Sequence, residues 1–237
     1  SSLKYVMIPY GAAPYIPVTL DDSGAVGYHN SITVDSSDNV HISYYSYSGG
    51  DLKYITRGPT GSWSAPITIP DPASGDHVGE YSSIVADSIG GIHISYHSQT
   101  TGDLLYTYCN SNSSTCTIST SWSTPEILDI TTDHCRHISI AVDSVNTLHI
   151  SFQQGNGDLA YVSKTSSGMW SNPIILHNGG STGLYTSLAV DSNDHVHISY
   201  YSNSVFPNPQ SLSYVSFDGN SWSAPIALDV TGKVGLF

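Results

Sequence analysis

Eleven histidines and nineteen acidic residues in a chain of 237 raise metal binding and acid–base catalysis first. Their spacing decides between these and a structural role. Asp35, Asp87, Asp143 and Asp191 each stand six residues before a histidine: His41, His93, His149 and His197. A carboxylate beside an imidazole fixes its tautomer, as both a metal ligand and a general base require. Yet a pair demanded four times at one spacing serves the repeat. The expectation is a buried hydrogen-bond network satisfying both ring nitrogens, with no catalytic residue and no metal site. Ser43, Ser95, Ser151 and Ser199 follow the histidines by two positions. Without an orienting acid and an oxyanion hole they form no nucleophile pair. Asp35 with Asp38, and Asp191 with Asp194, look like half of a calcium loop that lacks its terminal bidentate Glu. Turn chemistry is the expected role, and no cofactor is expected.

These residues must be positioned by repeated strands. Val-Asp-Ser or Ala-Asp-Ser recurs at Asp35, Asp87, Asp143 and Asp191, at intervals of 52, 56 and 48 residues. Each histidine opens His-Ile-Ser-aromatic. A Leu-x-Tyr strand follows, ending at Tyr54, Tyr106, Tyr161 and Tyr214. Trp-Ser-x-Pro and an apolar strand close each unit, at Trp63, Trp122, Trp170 and Trp222. Four short strands (A to D) in units of about 50 residues specify an all-β chain, a β-propeller of four-stranded blades. The approximate repeats are 24–70, 75–128, 132–177 and 180–228 within a single domain. Leu3-Lys4-Tyr5 repeats strand C and Pro17-Val18-Thr19-Leu20 repeats strand D. Gly232 to Gly235 matches the lead-in to strand A at Gly24 to Gly27. The reading is a five-bladed ring whose last blade is incomplete here. Residues 1–21 supply its strands C and D, beside residues 229–237. The expectation is a trimmed or incomplete ring closed by strands from both termini, with a segment of a longer propeller as the alternative.

Composition agrees. Asp, Gly and Pro favour turns, while only two Glu occur among the nineteen acids. A net charge of −13 disfavours nucleic acid and anionic membranes as partners. No apolar run reaches the roughly 18 residues of a membrane span. Cys109 and Cys116 flank a polar loop carrying the sequon Asn112-Ser113-Ser114, and a disulfide between them is expected; Cys135 is left over. That pair, with the acidic, Lys-poor composition, points to an extracellular or cell-surface setting.

Ser216-Phe217-Asp218-Gly219-Asn220-Ser221-Trp222 resembles an Asp-box, Ser-x-Asp-x-Gly-x-x-Trp, shortened by one residue. The segments ending at Trp63 and Trp170 are weaker versions without the Asp. The chain thus resembles the BNR/Asp-box repeats of sialidase-type secreted propellers. In that family the box is a structural turn between strands C and D, so the resemblance implies fold and not activity. Sialidases grip the substrate carboxylate with three arginines, and this chain has only Arg57 and Arg136.

Blades differ most at the loops leading into strand A and joining B to C, which share one face. Six residues before each repeated Asp stand His29, Tyr81, His137 and Tyr185, with Phe237 in register. One position earlier stand Tyr28, Glu80, Arg136, Leu184 and Leu236. Four residues past each repeated His stand Tyr45, His97, Gln153 and Tyr201. Asp76, His77, Asp133 and His134 lie further out. Aromatic rings stack on sugar faces and polar side chains bind hydroxyls. The expectation is therefore a non-catalytic propeller binding a glycan, or a peptide of an extracellular protein. Its contacts would be Tyr28, His29, Glu80, Tyr81, Arg136, His137 and Tyr185, with Tyr45, His97 and Tyr201 on the rim. The aromatic position could instead plug the core near the axis. Two alternatives stand beside binding. One is a polysaccharide lyase or hydrolase using Tyr81, His137, Arg136 and Glu80; the other is an adhesive module of a larger cell-surface protein.

Overall fold

The computed structural model describes residues 1–8, 16–73, 75–110, 116–129, 135–166, 168–179, 181–203, 210–231 and 234–235. Asn112, Asp133, His134, Leu236 and Phe237 lie outside them. A two-stranded sheet, β1 (Leu3–Tyr5) and β2 (Val18–Asp21), precedes four four-stranded antiparallel sheets. Blade 1 holds β3 (Val26–Val34), β4 (Val40–Ser46), β5 (Asp51–Arg57) and β6 (Ile67–Thr68). Blade 2 holds β7 (Val78–Ala86), β8 (Ile92–Ser98), β9 (Leu104–Cys109) and β10 (Glu126–Asp129). Blade 3 holds β11 (Arg136–Val142), β12 (Leu148–Gln153), β13 (Leu159–Lys164) and β14 (Ile174–His177). Blade 4 holds β15 (Leu184–Val190), β16 (Val196–Ser202), β17 (Ser211–Phe217) and β18 (Ile226–Asp229). Each blade is a simple up-and-down meander. The chain is an all-β propeller.

The Asp-His spacing folds each blade the same way. Asp87 accepts the backbone N–H groups of Ile89 and Gly91, tying off the A–B turn. Its other oxygen lies 3.2 Å from His93 Nε2, and His93 Nδ1 lies 2.7 Å from the Tyr106 hydroxyl. The same relay joins Asp35, His41 and Tyr54; Asp143, His149 and Tyr161; and Asp191, His197 and Tyr214. Strands A, B and C are thus locked by one polar chain per blade. The second aspartates of the turns also find a structural use. Asp38 and Asp194 take left-handed backbone angles, as do Asn146 and Gly90 in the other two turns, and Asp and Asn tolerate that region best after Gly. Asp194 then receives the Ser144 N–H and hydroxyl from the neighbouring blade.

The apolar core lies between blades. One cluster joins Leu52, Tyr54 and Ile69 of blade 1 to Val78, Ile84 and Trp122 of blade 2, and the others repeat this pattern. The tryptophans that close each unit sit at these junctions. Trp63, Trp122, Trp170 and Trp222 pack edge-on against Tyr5, Tyr54, Tyr106 and Tyr161 of the preceding sheet, at 4.8–5.0 Å between centroids. Only Trp122 is fully buried. Because Tyr5 uses the same contact, β1 and β2 occupy the strand C and D places of a blade that precedes blade 1. The lead-in glycines show the same order. A Cβ on Gly27, Gly79 or Gly235 would meet the Cα of Leu3, Leu52 or Leu212 at 2.7–3.1 Å. All three have φ of +83° to +114°, so glycine is required twice over. Gly235 therefore begins a further strand-A lead-in, packed on blade 4.

Candidate functional site

Strand A of every blade carries a bulge at one place. Pairing with strand B slips between Tyr28 and Ser31, Glu80 and Ser83, Arg136 and Ser139, and Leu184 and Ser187. The residue thrown out is His29, Tyr81, His137 or Tyr185, each with φ of +47° to +53°. Left-handed angles are costly for aromatic residues, on the order of 1 kcal/mol each. The four rings form an arc that runs from blade to blade. Successive centroids lie 4.5, 5.1 and 4.5 Å apart, so histidine and tyrosine alternate in unbroken contact across four blades. His29 is exposed and the other three are half-buried, and Tyr81 also packs against the core cluster between blades 2 and 3.

Charge flanks the arc. Glu80 Oε2 lies 3.4 Å from His97 Nδ1, and Arg136 is exposed next to His137. Desolvation, with help from Arg136 and His29, lowers His137 to a pKa of about 4, so its ring is neutral at pH 7. Desolvation also lowers His29, opposed by Glu80. Tyr81 is raised by desolvation, with Arg136 pulling the other way, and stays a phenol. Beside the arc, Arg136, Gln153, Gln154, Asn156, Ser181 and Leu184 line a polar cavity of 350 Å³ between blades 3 and 4. The arrangement offers aromatic edges and faces, amides and one guanidinium to a polyhydroxylated ligand.

The expected rim needs correction. Tyr45, His97 and Tyr201 are 2%, 1% and 5% exposed. In blades 1 and 2 these rings support the arc from behind: His97 stands 6.1 Å from Tyr81, and Tyr45 6.4 Å from His29. Tyr28 is exposed and pairs at 6.1 Å with Tyr47, a ring that the repeat arithmetic missed. Gln154 and Asn156 were missed likewise, because the B–C loops differ in length and fall out of register. Cys109 and Cys116 are joined by a disulfide, and Cys135 is a buried free thiol. Among the described residues no cluster of three or more His, Cys, Asp or Glu is arranged to hold a metal.

No protein-family model matches the chain, and no curated protein sequence does. Solved structures do. The BP39L lectin from Burkholderia pseudomallei is similar with a TM-score of 0.75 at 12% identity, covering 96% of this chain and 63% of its own. A mutant of the NanB sialidase from Streptococcus pneumoniae is similar with a TM-score of 0.57 at 15% identity, covering 91% and 35%. A PL25 ulvan lyase is similar with a TM-score of 0.56 at 11% identity, covering 86% and 58%. This chain thus spans less than two thirds of the length of each, and at these identities what is shared is the propeller fold of four-stranded antiparallel blades.

Proposed function

We propose that this propeller binds a glycan, without catalysing a reaction, on the face formed by the strand-A lead-ins and B–C loops. The observation that carries the reading is the His29–Tyr81–His137–Tyr185 arc, four strained aromatic residues at the strand-A lead-ins beside the Arg136 cavity. A purely structural position would keep one residue type, whereas one asymmetric ligand calls for different groups from different blades. The similar lectin, and the carbohydrate-active proteins that share the fold, support the ligand class. So does the resemblance to BNR/Asp-box propellers. The Cys109–Cys116 disulfide and the acidic composition support an extracellular or cell-surface setting, where glycans or glycosylated proteins are at hand. Screening the protein on an array of plant, microbial and animal glycans tests the reading. Saturable binding to a defined class is expected, and a blank array overturns it.

A second reading rests on Tyr81 and His137, 5.1 Å apart with Arg136 adjacent. A neutral imidazole is a competent base, a phenol a competent acid, and a guanidinium neutralises a uronate. That is the equipment of a polysaccharide lyase. New absorbance from unsaturated uronate ends, lost in His137→Ala, would favour it over simple binding.

A further inference from the structure

A cavity lies on the opposite face, where the A–B and C–D turns emerge between blades 2 and 3. It measures 440 Å³, within the range of about 300–1,000 Å³ typical of small-molecule sites. Its walls include Tyr106, Tyr108, Asn110, Asn146, Lys164 and Thr165. Ile89, 83% exposed, forms an apolar lip.

The repeat shows what is special here. Every inter-blade groove on this face has a strand-C tyrosine below it and a tryptophan of the next blade beside it. Two positions past the tyrosine the residues are Met7, Thr56, Tyr108 and Ser163. From the next blade, the position that ends strand C supplies Arg57, Cys109, Lys164 and Phe217. Among these four grooves, one alone sets a second tyrosine beside a cation. The groove below Tyr5 holds Tyr5, Trp63 and Arg57 but has Met7 in that place, and Val6, Ile16 and Val18 make the rest of its lining apolar. In the groove below Tyr54, Cys109 and Cys116 form a disulfide and Trp122 is buried. In the groove below Tyr161, Phe217 packs at a tilt against Trp222, 5.3 Å between centroids.

In the blade 2–3 groove Tyr106 and Tyr108 stack at 5.9 Å, and Tyr108 is only half-buried. Lys164 Nζ sits 5.3, 5.8 and 5.5 Å from the centroids of Tyr106, Tyr108 and Trp170. Glu126 holds it at 3.1 and 3.4 Å, so the ammonium is charge-compensated. Asp87 is likewise satisfied by Ile89, Gly91 and His93. No uncompensated charge selects an ionic ligand. What remains is a stacking surface ringed by amides, a hydroxyl and a paired ammonium.

We infer that this groove is a second carbohydrate site, taking one neutral sugar ring stacked on Tyr108, with its hydroxyls reaching Asn110, Asn146, Thr165 and Lys164. It is independent of the arc on the other face.

Saturation-transfer NMR with the methyl glycosides of glucose, galactose, mannose and fucose tests it on the 237-residue protein. At least one glycoside should bind, and Tyr108→Ala should weaken it at least tenfold with the melting temperature retained. Asn110→Ala, an exposed change that cannot disturb the core, should weaken the same sugar severalfold. The double variant Tyr81→Ala/Arg136→Ala should bind it as the unaltered protein does. Absence of binding by all four glycosides overturns the inference, as does binding indifferent to Tyr108→Ala and Asn110→Ala. Loss only in the double variant also overturns it, while supporting the opposite face as the glycan site.

Discussion

The rings of Tyr81 and His137, 56 residues apart in sequence, meet at 5.1 Å because each is thrown out of its own strand by the same bulge. Between Tyr81 and the Arg136 side of the site, the imidazole loses solvent without gaining an acid. Its pKa falls to about 4, from 6.5 in a free side chain.

That shift gives a pH prediction with a definite sign. The native state disfavours the imidazolium, so His137 contributes stability that is complete above pH 6.5 and lost as pH falls from 6.5 towards 4. His29, His41 and His149 are shifted in the same direction, chiefly by desolvation. Ring-proton NMR should place the His137 midpoint near 4, and Arg136→Ala should raise it. A midpoint of 6.5 in the folded protein would contradict the geometry of the arc.

The blade relay predicts a stability series. Tyr106→Phe removes the hydroxyl 2.7 Å from His93 and should cost about 1–2 kcal/mol in urea unfolding. His93→Ala strands both Asp87 and Tyr106 and should cost about 2–4 kcal/mol. Both residues line the blade 2–3 groove and lie away from the aromatic arc, so glycan binding at the arc by the folded fraction should persist. Loss of arc binding at full stability would give the relay a role at the opposite face that the fold does not require.

Asp71 should behave in the opposite way to the other shifted carboxylates. Burial, with Asp51 and Asp76 nearby, raises its pKa to about 6, and its Oδ1 is buried without a partner among the described residues. The folded state therefore favours the protonated form, and stability is lost as pH rises from 3.8 through 6. Asp71→Asn should raise the melting temperature by about 2–4 °C at pH 7.5, for about 1 kcal/mol, with the gain vanishing below pH 4. An unchanged or lower melting temperature at pH 7.5 would show that the carboxylate is compensated.

The repeat was legible because each of its residues has one physical job. Asp87 ties a turn, His93 bridges to Tyr106, and Trp122 seals a blade junction, so all recur at fixed spacing. The relay could be read as structural from that recurrence alone. The lead-in aromatics could be found by counting back from Asp87 to Tyr81, but not their conformation, since propensity argues against an aromatic residue at positive φ. Burial of Tyr45, His97 and Tyr201 was hidden for another reason. Strand B alternates Val40 and Ile42 with His41 and Ser43, so it reads as one apolar and one polar face, although the structure buries both. The groove beside Tyr108 was invisible because it arises between blades, where Lys164 of one repeat meets Tyr108 of another.

The most direct test of the account is a calorimetric titration of the best array glycan into the protein and its Tyr81→Ala and Arg136→Ala variants. Each variant should lose at least tenfold in affinity, about 1.4 kcal/mol, with a melting temperature within about 2 °C of the unaltered protein. Affinities equal to that of the unaltered protein in both variants would contradict the assignment of the ligand to the aromatic arc.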